Sequence, residues 1–213
     1  YQASSSEMFG KSKPPQNEKT LFLPRSVYAI SKVFAYHSVI HYRDAYDIHA
    51  CNGILFNHES PRRGVNFVTK KIVQGLVRIK NQKQKTLTLG NLYARRDWGH
   101  AKDYVESMWK ILQQKKPDDF VISTNTSHSV KDFINICSKK LHINLIWRGN
   151  GMNEVGINKD TNKIIIRINK KYFRETEVDD LIGSFNKAKK ILKWKPKFTF
   201  DKLIDDMIDN ESE

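Results

Sequence analysis

The chain has 213 residues, of which 39% are hydrophobic and 11% aromatic, so its composition indicates a globular protein and excludes a disordered one. Its formal net charge is +14, which raises nucleic-acid binding as a possible function. The lysines are spread along the chain, however, and the sequence contains neither a zinc-finger spacing nor an RNA-recognition aromatic motif. We therefore expect no nucleic-acid partner.

The sequence also gives no sign of a membrane or metal partner. No apolar run approaches the roughly 20 residues that a membrane-spanning helix needs. Cys51 and Cys137 lie in unrelated segments without metal or redox spacing. We expect them to be reduced, buried thiols of a cytoplasmic protein, because stable disulfides belong to oxidising compartments.

In chain order, the patterns predict alternating strands and helices. Residues 1–7 are expected to end a strand, and Ser26 to cap a helix from Val27 to Tyr46. The apolar run 48–56 is expected to form a parallel strand buried on both faces, followed at 57–64 by a loop where α/β sheets bind ligands. Further helices are predicted at 66–79, 103–113, 129–140, 185–192 and 200–209, and further strands at 86–89, 120–123, 143–147 and 164–168.

Two short motifs carry candidate chemistry. Ser5 and Glu7 lie at the end of the first strand, and Tyr28 and Lys32 follow on the first helix. The last two residues are four apart, so they share one helix face. A free tyrosine ionises near pH 10, at about the value of a phenol in water, and an adjacent ammonium favours the phenolate. A Tyr-x-x-x-Lys pair is common on helix surfaces, but with the Ser/Glu element upstream it resembles the catalytic set of extended short-chain dehydrogenases/reductases.

Longer stretches narrow this resemblance to one family. They are Asn-His-Glu-Ser-Pro-Arg-Arg-Gly at 57–64, Arg-Arg-Asp-Trp-Gly-His-Ala-Lys-Asp-Tyr-Val at 95–105, and the segments 1–7, 174–179 and 187–196. Together they resemble the GDP-mannose 4,6-dehydratases over almost the whole chain. One departure is Tyr93, which stands where that family usually has aspartate.

The resemblance implies an α/β fold: a partial Rossmann-like parallel sheet with a smaller α/β substrate-binding domain. Residues 1–64 would form the carboxy-terminal part of an NADP-binding Rossmann domain. Residues 65–213 would mainly form the substrate-binding domain, with 95–140 returning to the Rossmann sheet. The glycine-rich turn that binds a dinucleotide pyrophosphate does not occur in the sequence. We therefore expect the chain to be the carboxy-terminal part, or a truncated copy, of a longer enzyme.

The implied reaction is NADP-dependent dehydration of GDP-mannose to GDP-4-keto-6-deoxymannose, the first step towards GDP-fucose. Tyr28 would take the proton of the sugar 4-hydroxyl, to which Ser5 would hydrogen-bond. Glu7 would remove the proton on carbon 5 and donate a proton as water leaves carbon 6. Lys32 would also hold the nicotinamide ribose.

Other positions match family contacts to cofactor or substrate. The cofactor contacts implied by the resemblance are Tyr28, Lys32, Leu55, His58 and Arg63. The implied substrate contacts are Asn57, Lys71, Arg96, Arg174 and Glu177. Because members of the family form dimers and tetramers with helices like that of Tyr28 packed at an interface, a homodimer or homotetramer is expected when the enzyme is complete.

Two other interpretations remain open. A different nucleotide-sugar dehydratase or epimerase would share Tyr28 and Lys32 but not the motif at 57–64. A chain without the cofactor-binding glycine turn could instead serve as a non-catalytic binding or assembly module.

Overall fold

The computed structural model describes residues 1–173, 178 and 180–211. Its α-helices are α1 Val27–Tyr46, α2 Val68–Lys80, α3 Ala101–Leu112, α4 Val130–Lys140, α5 Asn186–Ile191 and α6 Phe200–Asp209. Its strands are β1 Gln2–Ser5, β2 Asn52–Leu55, β3 Asn57–Glu59, β4 Leu87–Leu89, β5 Arg95–Arg96, β6 Trp98–His100, β7 Phe120–Ile122, β8 His128–Ser129, β9 Leu145–Arg148, β10 Val155–Asn158, β11 Lys163–Ile168 and β12 Asp180–Leu181.

The first of two compact units is formed by Tyr1–His58, Arg95–Ser127 and Val178–Thr199. Its main sheet is parallel throughout, in the order β1-β2-β7. Successive side chains of a strand point to opposite faces, and both faces of this sheet are covered. Leu55 lies in a hydrophobic cluster with Tyr104 and Trp194. Ile54, on the other face, lies in a cluster with Met8.

The second unit is formed by Glu59–Ala94, His128–Glu177 and Phe200–Glu213. Its sheet has the order β4-β11-β10-β9, with β11 parallel to β4 and antiparallel to β10. Helices α2, α4 and α6 pack against one another within this unit. The predicted α/β class is confirmed by these mixed layers.

Local sequence explains where the helices begin. The hydroxyl of Ser26 accepts the backbone N–H of Ala29 at 3.1 Å, so the predicted cap of α1 is confirmed. At the start of α4, Ser129 and Asp132 form a reciprocal capping box. Among the described residues, no helix is both long and apolar enough to span a membrane. Both cysteines are buried and unpaired, as predicted.

Three predicted element boundaries were wrong near the site. Strand β1 ends at Ser5, and Ser6–Met8 is a 3-10 turn rather than extended chain. The strand expected over 48–56 covers only Asn52–Leu55, because Asp47 ends α1 in a left-handed conformation and the next residues are irregular and exposed. The loop expected at 57–64 begins with the short strand β3.

Candidate functional site

The turn after β1 presents the first two candidate residues. The hydroxyl of Ser5 accepts the backbone N–H of Glu7 at 3.2 Å and so caps the 3-10 turn Ser6–Met8. Met8 and Phe9, directly after Glu7, are completely buried. The Glu7 carboxylate is therefore carried on a short turn whose following residues are fixed in the core, at the carboxyl end of a parallel strand.

The amino-terminal half of α1 presents the second pair. The Lys32 ammonium lies 5.6 Å from the centre of the Tyr28 ring, as expected for residues four apart on a helix. The same ammonium donates a hydrogen bond to the carbonyl oxygen of Ala3, at 2.8 Å. Ala3 and Ser5 both belong to β1, so the lysine joins the helix to the strand that carries Ser5. Tyr28 remains 55% exposed, which leaves its phenol accessible to a ligand.

A buried polar cluster anchors the other half of α1. Asp119, just before β7, accepts two hydrogen bonds from Arg43 at 3.0 and 3.1 Å and one from the Tyr36 hydroxyl at 3.2 Å. Asn52 donates to the same carboxylate through its backbone and side-chain nitrogens. The helix that carries Tyr28 and Lys32 is thus attached to the sheet near the amino ends of β2 and β7.

The residues after β2 divide between structural contacts and accessible positions. His58 donates from Nδ1 to the carbonyl oxygen of Phe56 at 2.9 Å, which fixes its tautomer because a carbonyl only accepts. Its ring also stacks on Tyr104. Asn57 is half-buried, whereas the Leu55 side chain lies inside the core. The predicted cofactor role of Leu55 would therefore depend on its backbone.

In the second unit, Arg63 lies against two neighbours. Its Nε is 3.0 Å from a carboxylate oxygen of Glu59, and its guanidinium stacks 3.5 Å from the centre of the Phe67 ring. Burial raises the pKa of the Glu59 carboxyl, and the charge of Arg63 opposes that effect. Thr69 also donates to this carboxylate, at 2.5 Å.

Lys71 and Tyr93 also lie in the second unit. The Lys71 ammonium is 3.9 Å from the centre of the Tyr172 ring. Tyr93 donates its hydroxyl proton to Glu154 at 2.7 Å, and Lys131 forms an ion pair with the same carboxylate. Burial raises the pKa of Glu154, but these two donors hold it below its ordinary value. The tyrosine that departs from the family pattern therefore belongs to a local polar cluster.

Arg96 is the most buried of the predicted substrate contacts in the part of the chain that the structure describes. Its Nη1 donates to the carbonyl oxygens of Arg95 at 2.8 Å and Val178 at 2.6 Å. Only 9% of the residue is exposed. Two further predicted substrate contacts, Arg174 and Glu177, lie outside the described residues.

Sequence reasoning missed two fully buried polar residues of the first unit, Gln16 and Asp97. Asp97 accepts the backbone N–H and the hydroxyl of Thr124, at 2.8 and 2.7 Å, and the N–H of Gly183 at 3.3 Å. Burial raises the pKa of Asp97 to about 7, against these hydrogen bonds. Its place inside the Arg-Arg-Asp-Trp-Gly motif was the available signal. No comparable signal marks Gln16 in its proline-rich loop.

The structure thus brings Ser5, Glu7, Tyr28 and Lys32 to neighbouring elements of one unit. The described residues contain no group of three histidine, cysteine or acidic side chains that could hold a metal ion. A carboxylate and a phenol with a lysine neighbour are suited to moving protons without a metal.

Solved structures with the same fold define the class. RMD from Pseudomonas aeruginosa, solved with NADPH, matches 99% of this chain and 65% of its own with a TM-score of 0.81 at 16% identity. dTDP-glucose 4,6-dehydratase from Bacillus anthracis, solved with NAD, matches 98% of this chain and 60% of its own with a TM-score of 0.78 at 18% identity. The chain therefore has the Rossmann-type fold of short-chain dehydrogenase/reductase dehydratases and epimerases.

Sequence similarity identifies the family within this class. The family model for GDP-mannose 4,6 dehydratase matches residues 1–207. The enzyme of that name from Dictyostelium discoideum is 51% identical over 100% of this chain, and the one from Homo sapiens is 50% identical over 98% of it. The chain belongs to the GDP-mannose 4,6-dehydratase family. It spans 60% and 56% of the length of these two relatives.

Proposed function

We propose that the chain provides the catalytic residues of an NADP-dependent GDP-mannose 4,6-dehydratase, which forms GDP-4-keto-6-deoxymannose. The observation that carries the proposal is the joining of helix α1 to strand β1 by Lys32, beside Ser5 and Glu7. Identity of about half over the whole chain with enzymes of that name supports the choice of substrate.

The chain's own residues then have distinct tasks. The Tyr28 phenol accepts the proton of the sugar 4-hydroxyl, and the neighbouring Lys32 ammonium stabilises the phenolate that makes this possible. Ser5 hydrogen-bonds the same hydroxyl. Glu7 takes the proton on carbon 5, which the ketone at carbon 4 has made acidic, and returns a proton to the hydroxyl leaving carbon 6. A bound nicotinamide supplies reversible storage of one hydride, so the overall reaction is redox-neutral.

The residues present fit the nicotinamide half of the cofactor. The half-exposed Tyr28 phenol and the Lys32 ammonium form an accessible pair at the carboxyl end of β1. We assign NADP, rather than NAD, because His58 and Arg63 match the family's NADP contacts, with Leu55 nearby in sequence. We also propose a cytoplasmic enzyme, which agrees with two unpaired buried cysteines.

Binding of the substrate is assigned to Asn57, Lys71 and Arg96, together with Arg174 and Glu177. Arginine suits a diphosphate because its planar donors can bind two oxygens at once. Arg96 already donates to two backbone carbonyls.

We further propose that the enzyme is a homodimer or homotetramer that uses α1. Val27, Ile30 and Phe34 are 83%, 56% and 76% exposed, and their spacing places them along one stripe of the helix. Exposed apolar stripes of this kind indicate contact surfaces. Light scattering should show a dimer or tetramer that Phe34→Glu dissociates. A monomeric unmutated protein would contradict this part of the proposal.

Two experiments test the proposed activity. Residues 1–213 contain no glycine-rich pyrophosphate turn, so fluorescence titration of the purified chain with NADPH should show no saturable micromolar binding. A fusion of the amino-terminal segment of the human relative to Tyr1 should bind NADPH and convert GDP-mannose to the 4-keto-6-deoxy product. A 4-epimer product would identify an epimerase instead. A fusion that binds both ligands without turnover would favour a non-catalytic module.

A further inference from the structure

Gln16 is completely buried within the polar loop that connects the Glu7 turn to helix α1. Its side-chain oxygen accepts the backbone N–H of Ile182 at 3.0 Å, and its side-chain nitrogen donates to the carbonyl of Ser12 at 2.9 Å. Its backbone N–H donates to the Ile182 carbonyl, and its carbonyl accepts the N–H of Ser184, both at 2.7 Å. Three hydrogen bonds of this one glutamine therefore dock the connecting loop onto residues 180–184, and the fourth, to Ser12, lies within the loop itself.

Asp97 holds the same 180–184 segment from another element. One carboxylate oxygen accepts the N–H of Gly183, and the other accepts both donors of Thr124, just after β7. A side chain at position 183 would meet Phe56 and Ser123 at 2.5 Å, so the segment lies directly against the ends of β2 and β7. The carboxylate and the glycine together allow this close approach.

The segment also packs against the elements that carry the catalytic candidates. Leu181 is fully buried in the cluster that contains Met8 and Phe9, which follow Glu7, and Tyr36, which lies on the helix of Tyr28. Aromatic contacts continue this link from Phe9 to Phe22 of the loop, at 5.3 Å between ring centres, and from Phe22 to Tyr36 at 4.9 Å. Each contact belongs to the first unit.

We propose that Gln16 and Asp97 are positioning residues that fix the Glu7 turn relative to the Tyr28 helix through the 180–184 segment. The inference rests on the proposed function, in which Tyr28 and Glu7 act at the adjacent carbons 4 and 5 of one sugar. Both carboxylate and phenol lie on elements joined by a 16-residue loop, numbered 11–26, which contains no long strand or helix. Gln16 docks this loop onto the 180–184 segment, and the Glu18 carboxylate accepts the N–H of Val121 in β7. Without that docking, the two groups would keep their chemistry but lose their common geometry.

Substitutions test the contributions of Gln16 and Asp97 separately. Gln16→Ala removes both side-chain bonds, whereas Gln16→Glu keeps an oxygen for the Ile182 N–H and loses only the donor to Ser12. Asp97→Asn keeps an oxygen for Thr124 but places an amide N–H against the N–H of Gly183, so the 180–184 segment is released on one side. Matched controls are Gln114→Ala and Asp118→Asn, whose side chains make surface contacts with Lys110 and Lys187.

Hydrogen exchange on the purified chain tests the docking without requiring activity. Gln16→Ala and Asp97→Asn should speed exchange at Ser184 and also at Phe9 and Ser12, whose amides close the turn after Glu7. The controls should match the unmutated chain. Unchanged exchange at Phe9 and Ser12 would overturn the proposal. Equal acceleration in β10 and β11, which belong to the second unit, would indicate general destabilisation and would also overturn it.

Kinetics in the active fusion enzyme test the positioning role. Gln16→Ala should lower kcat at least tenfold while the affinity for GDP stays within twofold, and Gln16→Glu should recover part of kcat. An unchanged kcat in Gln16→Ala would refute positioning even if exchange changes. If the unmutated fusion does not dehydrate GDP-mannose, the proposed function fails, and the exchange experiment alone then decides whether the loop docks as inferred.

Discussion

The ammonium of Lys32 donates a hydrogen bond to the carbonyl oxygen of Ala3 at 2.8 Å, two residues before Ser5 on the same strand. A single lysine thus contacts both the tyrosine on its own helix and the strand that carries the serine and leads into the turn of the glutamate. This relationship brings residues separated by more than twenty positions in sequence to neighbouring elements of the first unit.

Tyr28→Phe should abolish turnover in the active fusion enzyme and leave GDP-mannose binding nearly unchanged. The substitution removes only the hydroxyl that accepts the substrate proton. Steady-state kinetics and calorimetry measure the two effects. Tyr42→Phe, also exposed on α1, is the matched control and should retain full turnover. Turnover of the Tyr28 variant near the unmutated rate would rule out the phenol as the base.

Glu7→Gln should permit oxidation at carbon 4 but stop elimination, because an amide cannot accept the carbon 5 proton. Exchange of that proton with deuterated water, followed by NMR, should disappear. Glu106→Gln is the control, since Glu106 forms surface ion pairs with Lys110 and Lys197. Normal exchange in the Glu7 variant would show that another group is the base.

Arg96→Ala should weaken GDP and GDP-mannose binding equally, by roughly 1.5–3 kcal/mol if one charge-assisted hydrogen bond is lost. Arg95→Ala should have little effect, because Arg95 is exposed and bonds to Ser127. Calorimetry with both ligands provides the comparison. If the variant lost its discrimination between sugars but kept its affinity for GDP, a contact between Arg96 and the nucleotide would be contradicted. Since Arg96 also holds Val178, some loss of thermal stability is expected as well.

The buried carboxyl of Asp97 should make stability fall as pH rises. Burial raises its pKa from 3.8 to about 7, so between these values the folded chain keeps a proton that the unfolded chain releases. The free energy of unfolding should then decrease by up to about 1.4 kcal/mol per pH unit from this group. Urea unfolding from pH 4 to 7 should show a smaller decrease in Asp97→Asn. If the free energy of unfolding fell equally with pH in the two proteins, the raised pKa of Asp97 would be contradicted.

Asp119→Ala should destabilise the chain by roughly 3–5 kcal/mol, because Arg43 would lose its buried partner. Burial raises the pKa of Asp119, but its bonds to Arg43 and Asn52 hold it below its ordinary value, so this contribution is lost only as pH falls through that lowered pKa. Asp205→Ala removes a more exposed ion pair with Lys140 and should cost about 0–1 kcal/mol. Urea unfolding at neutral pH measures both losses of stability. Similar losses in the two variants would show that the buried ion pair contributes no more than the exposed one.

Long amphipathic elements could be predicted from sequence, and short ones could not. Helices α1 and α6 begin and end where their periodicity predicts, because caps and apolar spacing are local signals. Strand β10 was missed because it has only four residues and one of them is Gly156, which lowers strand propensity, although its partners β9 and β11 are its neighbours in sequence. Strands β5 and β12 were missed because each has only two residues and they pair with each other across more than eighty positions of sequence.

The candidate site shows the same limit. Tyr28 and Lys32 could be paired by counting residues along one helix. The approach of Lys32 to Ala3 depends on how that helix packs, which no local pattern encodes. Likewise, the 0% exposure of Gln16 comes from a segment more than 160 residues later in the chain. The catalytic, cofactor and substrate roles of all the candidate site residues, Ser5, Glu7, Tyr28 and Lys32 included, stay predictions.

The division of the chain among its units has a consequence for biosynthesis. The chain passes between the two units five times, and the first unit takes its last segment from Val178–Thr199. A ribosome therefore releases β1, the Glu7 turn and α1 long before the residues that complete their core have been made. Until then, Met8 and Phe9 lack the Leu181 packing partner, and the growing chain exposes apolar surface that favours chaperone binding. Pulse-labelled nascent chains should become resistant to protease only after residue 199 has left the ribosomal tunnel.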